Sequence, residues 1–276
     1  MTLLVVGGTG FLGTELIRQA VSAGHHTVAT WSRSPGGRSL DNTWRKLDLH
    51  KHEQIATLLE QVRPRMVVNA SSGGADWQVT AEGPIHLAIA AAQYGCRLVH
   101  VSSDAVFSGL GKTHYDETSL PDPITPYGAA KAAGEAGVLA VLPEAVVART
   151  SLIIGHGRSE HERLVHDLTS GAREGVLFTD DCRCPVHVSD LASALLELAS
   201  GHKAGVHHLG GPEALSRYGL GLLIARRDGI DPALLPAGRA SDRNYRGALD
   251  VRLDSSATQH RLNTTLRGAS VFLGQD

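Results

Sequence analysis

The run Leu3-Leu4-Val5-Val6-Gly7-Gly8-Thr9-Gly10-Phe11-Leu12-Gly13 decides how the rest of this chain is read. Four apolar residues without alternation describe a strand buried on both faces, and the amphipathic stretch over 11–23, closing at Gly24, describes a helix. Between them the glycines at 7, 10 and 13 each have a purpose. The first permits a tight turn, the second lets main chain approach a pyrophosphate, and the third lets helix and strand pack closely. The helix start then offers free N–H groups and the positive end of its dipole to phosphate. Gly7, Thr9, Gly10, Phe11, Leu12 and Gly13 are the expected dinucleotide contacts of this turn.

Outward from that turn, short apolar strands expected at 27–31, 66–69, 98–102 and 146–149 alternate with helical stretches at 55–62, 85–94 and 127–142. This repetition predicts an α/β fold, a doubly wound parallel sheet of Rossmann-like type. Past residue 150 the rhythm loosens. Helices are expected at 164–172, 189–199 and 216–227, a strand at 206–209, and loop over 232–248. With no internal repeat and no low-complexity linker, 1–276 reads as one domain, with a cofactor-binding core over 1–150 and a small C-terminal substrate-side lobe over about 151–276.

The totals set limits on function. A formal net charge of −2 provides no general attraction to nucleic acid or an anionic membrane. Three cysteines, an odd number, argue against a disulfide framework and for a reducing compartment. The N-terminal residues carry no basic leader, and no apolar run approaches bilayer length. The expectation is a cytoplasmic protein with a small-molecule substrate and neither a nucleic-acid nor a membrane partner.

The second strand ends at Trp31, followed by Ser32-Arg33-Ser34. An acid here would hold the ribose 2′-hydroxyl of NAD, whereas arginine suits a 2′-phosphate. Arg33, with Ser32 and Ser34 as further donors, makes NADP(H) the preferred cofactor and NAD(H) the lesser option. Asp48, with Leu49 beside it, either accepts from the adenine amino group or caps the helix beginning near His52.

Chemistry is suggested by Tyr127-Gly128-Ala129-Ala130-Lys131 at the start of a long helix. Residues four apart share a helical face, so phenol and ammonium point into one cleft. The strand at 98–102 runs into Ser103, and strand C-terminal ends face the ligand crevice of a doubly wound sheet. A hydride delivered to a carbonyl carbon leaves charge on oxygen that must be protonated. A phenol with a pKa near 10 is a slow acid–base at neutral pH, and lowering it by three units needs about 4 kcal/mol. The Lys131 ammonium and an oxidised nicotinamide would favour phenolate, and Ser103 would hydrogen-bond the carbonyl oxygen.

These residues together resemble an extended short-chain dehydrogenase/reductase, in particular its dTDP-4-dehydrorhamnose reductase branch of sugar-nucleotide 4-ketoreductases. The segment 101–109, Val-Ser-Ser-Asp-Ala-Val-Phe-Ser-Gly, resembles that branch's strand-end motif; Pro126-Tyr127-Gly128 through Lys131, then Gly134-Glu135, resembles its catalytic helix. Tyr115-Asp116-Glu117, Val188-Ser189-Asp190-Leu191 and Val206-His207-His208-Leu209-Gly210 follow in family order. The resemblance implies Ser103, Tyr127 and Lys131 as catalytic residues, and Asn69, Ala70 and Ser71 as lining of the cofactor cleft. It implies substrate contacts from Ser103, Asp104, Ala105 and Arg246. The chain departs from the branch at Ala105 (usually tyrosine), at Cys182 and Cys184 (usually Gln and Gly), at Gly247 (usually proline) and at Thr80 (often asparagine).

Other signals weigh less. Fifteen histidines form no His-Glu-x-x-His, and Cys182-x-Cys184 beside Asp180 and Asp181 lacks a second pair, so no metal is expected. Arg239, Arg243 and Arg246 either clamp a substrate diphosphate or belong to a solvated loop. The leading expectation is an NADPH-dependent reductase of a keto group, at C4 of a nucleotide-linked deoxysugar. The alternatives are an NAD-retaining epimerase or dehydratase and a non-catalytic NADP-binding regulatory subunit. A homodimer is compatible with each.

Overall fold

In this computed structural model residues 1–33 and 43–274 are described. Seven parallel strands form the central sheet: β1 Thr2–Val6, β2 His26–Trp31, β3 Thr43–Lys46, β4 Met66–Asn69, β5 Arg97–Ser103, β6 Val146–Thr150 and β7 Gly205–Leu209. Their order across the sheet is β7-β6-β5-β4-β1-β2-β3. Strand order reverses beside β1, so its carboxyl end opens onto the crevice where such sheets bind ligands.

Helices cover both faces. On one, α1 Phe11–Ser22 packs with a later helix, Val188–Ser200, over Leu3, Val5, Val99 and Val101. On the other, α2 His52–Val62, α3 Gly83–Tyr94 and α4 Pro126–Val141 cover Leu4, Val6, Val67 and Leu98. The strands β1 and β4 are buried almost throughout, as uniformly apolar strands between two helical layers must be. A third core lies beyond the sheet, built by α5 Glu160–Thr169 and residues around Leu177, Leu220, Ile224 and Leu273. The Val188–Ser200 helix is α6, and α7 is Arg217–Arg227.

Several expectations need correction. Strand β3 was not expected, because Thr-Trp-Arg-Lys is a short, half-exposed edge strand without an apolar run. The helix expected from 164 starts at Glu160, where Ser159 and Glu162 form a capping box. The helix expected from 85 starts at Gly83 and is preceded by a π-helical turn at Gln78–Glu82. The stretch 232–248 contains a 3₁₀ turn, Pro232–Leu234, and a two-residue strand, Ala237–Gly238, paired with Leu177–Phe178. Nor does the division at 150 follow the packing: β7 and α6 return to complete the sheet and one of its covering layers.

Candidate active site

The glycine-rich turn follows β1 directly. Main-chain N–H groups of Gly7 and Gly8 donate to the Thr30 hydroxyl and carbonyl, fixing the turn to β2. Gly7 has φ +83° and lies so close to Ser71 that a Cβ would stand 2.8 Å from its main chain; at Gly13 a Cβ would stand 2.2 Å from the Gly7 carbonyl. Gly10 caps α1 with no side-chain hydrogen bond, and the first turn holds no acidic residue. Those N–H groups suit a phosphate, so the residues present fit a dinucleotide. Thr9 and Gly10 are exposed, Gly7 and Phe11 are half-buried, and Leu12 is buried, which leaves its main chain for a ligand.

Ser32 and Arg33 are exposed at the end of β2; Ser34 lies outside the described residues. Lys46, in register with Trp31, holds its ammonium 5.6 Å from the Trp31 ring and adds a second cation to this edge. Sequence reasoning missed Lys46, since only the pairing of β3 with β2 brings it there.

Three expected contacts are placed differently. Asn69 is fully buried: its Oδ1 accepts from the N–H and hydroxyl of Ser71, and its Nδ2 donates to His100 Nδ1 at 3.2 Å. It braces the turn from behind, while Ala70 and Ser71 are half-buried in front. Asp48 does not cap α2. That position belongs to Lys51, and the Asp48 carboxylate accepts from His50 through main chain and ring. Leu49 is a core residue at 6% exposure.

The reactive centre lies where β5 meets α4. Thr125 accepts from the Gly128 N–H and Pro126 occupies the first turn, so the helix starts one residue before Tyr127. Lys131, one turn on, is 3% exposed and donates from Nζ to the Val101 carbonyl at 2.9 Å. Burial pushes its ammonium down to about 8, against the pull of Glu135. Ser103 and Ser72 hydroxyls are hydrogen-bonded to the Tyr127 phenol. Ser72 was not singled out from sequence; the turn after β4 carries it over to α4.

The Tyr127 pKa runs opposite to expectation. Burial pushes the phenol up, the Asp104 carboxylate adds to the rise, and the Ser103 and Ser72 hydrogen bonds oppose it. The Lys131 ammonium, engaged with Val101, does not reverse that balance. Asp104 is 6% exposed, and its oxygens take Ser103 and Ser151 hydroxyls while Arg183 Nε stands 3.6 Å away. It shapes the site with its carboxylate already occupied.

A cleft of about 690 Å³ runs from Phe11, past Ser103, Asp104, Ala105 and Tyr127, to Arg158, Arg163, Arg183 and Arg217. Arg246, the expected substrate contact, is exposed and outside this lining, as are Arg239 and Arg243; the loop turns Tyr245, Gly247 and Ala248 inward instead. Arg183 and Arg217 are ion-paired with Asp181, at 2.8 and 3.2 Å. Among the described residues Arg158 and Arg163 have no acidic partner. Arg158 sits on a braced loop: the N–H groups of Gly155, Gly157 and Ser159 all donate to the buried Glu162 carboxylate. Sequence offered no signal for this pair, because a free arginine looks the same as a neutralised one until its neighbours are known.

Known proteins share this sequence pattern and fold. The dTDP-4-dehydrorhamnose reductase of Mycobacterium tuberculosis is 32% identical over 246 residues, covering 83% of this chain and 76% of that protein. A crystal structure of a hypothetical dTDP-4-dehydrorhamnose reductase from Sulfolobus tokodaii superposes with a TM-score of 0.83 at 28% identity, covering 97% of each chain. The reductase of Bacillus anthracis in complex with NADP has the same fold, with a TM-score of 0.83 at 20% identity over 99% of this chain and 96% of that one. The family described as RmlD substrate binding domain matches residues 1–267, and the chain belongs to it.

Proposed function

We propose that this protein is an NADPH-dependent reductase of a keto group, at C4 of a nucleotide-linked deoxysugar. The observation that carries the reading is one continuous cleft, with Ser103 and Tyr127 beside the dinucleotide turn at one end and, at the other, Arg158 and Arg163, which have no acidic partner among the described residues. Two relatives support it: the Mycobacterium tuberculosis protein is named for this reaction, and the Bacillus anthracis protein was crystallised with NADP.

In this reading Ser103 donates to the substrate carbonyl oxygen and fixes its position. Tyr127 delivers the proton to that oxygen as the carbon is reduced, and Lys131 holds the ribose on the nicotinamide side. The dinucleotide supplies the hydride. With Tyr127 pushed up in the free protein, it stands protonated, the form a reductase's acid needs. Arg33 and Ser32 receive the 2′-phosphate, and Arg158 and Arg163 receive the substrate diphosphate, where planar guanidinium groups match phosphate oxygens.

The decisive variant is Tyr127→Phe. Loss of a positioned general acid is expected to lower turnover by about 10²–10⁴-fold while NADPH affinity stays near wild type. Turnover of a dTDP-4-keto-6-deoxysugar at the wild-type rate would overturn the assignment. On this reading the enzyme works in the cytoplasm as one domain. The reading includes a pair of identical copies. Sedimentation is expected to give twice the chain mass.

A further inference from the structure

Strand β5 carries a histidine that none of these roles uses. His100 is fully buried and stands in register with Asn69 on β4. Because Asn69 commits its Oδ1 to Ser71, it is the Asn69 amide nitrogen that donates to His100 Nδ1. An uncharged imidazole that accepts at Nδ1 carries its proton on Nε2. Burial, with the Lys131 charge nearby, pushes the ring's pKa well down and keeps it uncharged.

That Nε2–H has no partner among the described residues, and neither has the buried hydroxyl of Ser102 two positions along. Strand alternation puts both on the face shared with Leu98, which packs with Val138 of α4. The next residue, Val101, presents the carbonyl that accepts from Lys131 Nζ. An apolar side chain at 100 would fill this space but leave the buried Asn69 amide donor unmade, so packing alone does not account for a histidine.

We propose that His100 is a positioning residue that ties the cofactor-side turn at 69–71 to the segment of β5 that holds Lys131. Its Nδ1 fixes the Asn69 amide, Asn69 fixes Ser71, and Ser71 is the residue against which Gly7 closes. The link to cofactor rests on the NADPH reading of the cleft; the tie itself does not.

Two measurements on the full chain separate these. In the first, hydrogen exchange is followed through residues 69–74 without cofactor. His100→Leu is expected to speed exchange there, and His100→Gln, whose amide oxygen still accepts from Asn69, is expected to restore protection. In the second, NADPH binding is titrated by fluorescence. His100→Leu is expected to weaken it about three- to ten-fold, the loss of one buried hydrogen bond, and His100→Gln to recover most of that. Should His100→Leu not fold, Asn69→Ala breaks the same tie from β4 together with both Ser71 bonds, and its effects are expected to be at least as large. Unchanged exchange in Asn69→Ala, or equal impairment of His100→Leu and His100→Gln, overturns the proposal. A wild-type protein that does not bind NADPH overturns the cofactor reading, and the exchange measurement still decides the tie.

Discussion

The charge of Lys131 is strongly set by its surroundings. In the unfolded chain its proton is held to about 10.5, whereas burial in the fold releases it at about 8. Between those values the unfolded state binds more protons, so this group makes stability rise with pH across that window. Affinity for NADPH moves the other way, because the ammonium that holds the ribose is lost above about pH 8. Wild type compared with Lys131→Met is expected to show both trends, in melting temperature without cofactor and in NADPH titration. NADPH affinity that is flat from pH 7 to 9.5 in wild type would remove Lys131 from the binding role.

At the scale of elements, the catalytic helix is held by a buried ion pair. Glu135, one turn past Lys131, accepts both Nε and Nη2 of Arg149 on β6, at 2.8–3.1 Å, with each residue 3% exposed. Arg149 also donates to the Ser119 carbonyl and lies 5.0 Å from the Phe107 ring centroid. Removing one partner strands the other charge. Glu135→Ala is therefore expected to cost about 3–5 kcal/mol and to be read as a melting temperature lowered by roughly 10 °C. A loss below about 1 kcal/mol would mean that water reaches Arg149 and the pair is not what seats α4. The other helical seam runs between α1 and α6. There Gln19 donates to Glu15 and to the Ser189 carbonyl, and Ser193 donates to Gln19. Burial alone would raise the Glu15 pKa, yet hydrogen bonds from Arg18, Gln19 and Ser189 hold it down to about 2.

Across the whole molecule, the cleft joins residues from both halves of the chain, and its charges divide by partner. Arg183 is paired with Asp181 and Asp104 and Arg217 with Asp181, whereas among the described residues Arg158 and Arg163 have no acidic partner and can take an anion. Arg158→Ala and Arg163→Ala are each expected to raise the KM for the sugar nucleotide by about 10–100-fold with NADPH affinity unchanged, as for one charge-assisted hydrogen bond. A KM within two-fold of wild type for both variants would move the diphosphate elsewhere. Both arginines are exposed, and the braced loop beneath Arg158 predicts that the effect is larger there than at Arg163.

The amino-acid sequence was enough for most of the sheet, for the glycine turn and for the placing of Tyr127 and Lys131 one turn apart on a single helix. Those are local facts: apolar runs, glycine spacing and a four-residue helical repeat act over a few residues and leave a periodic trace. The edge strand β3, the arginines of the cleft, the brace of Asn69 by His100 and the raised pKa of Tyr127 were decided only by tertiary structure. Each depends on which distant groups come into contact, and on whether water is excluded when they do. Spacing along a chain records neither.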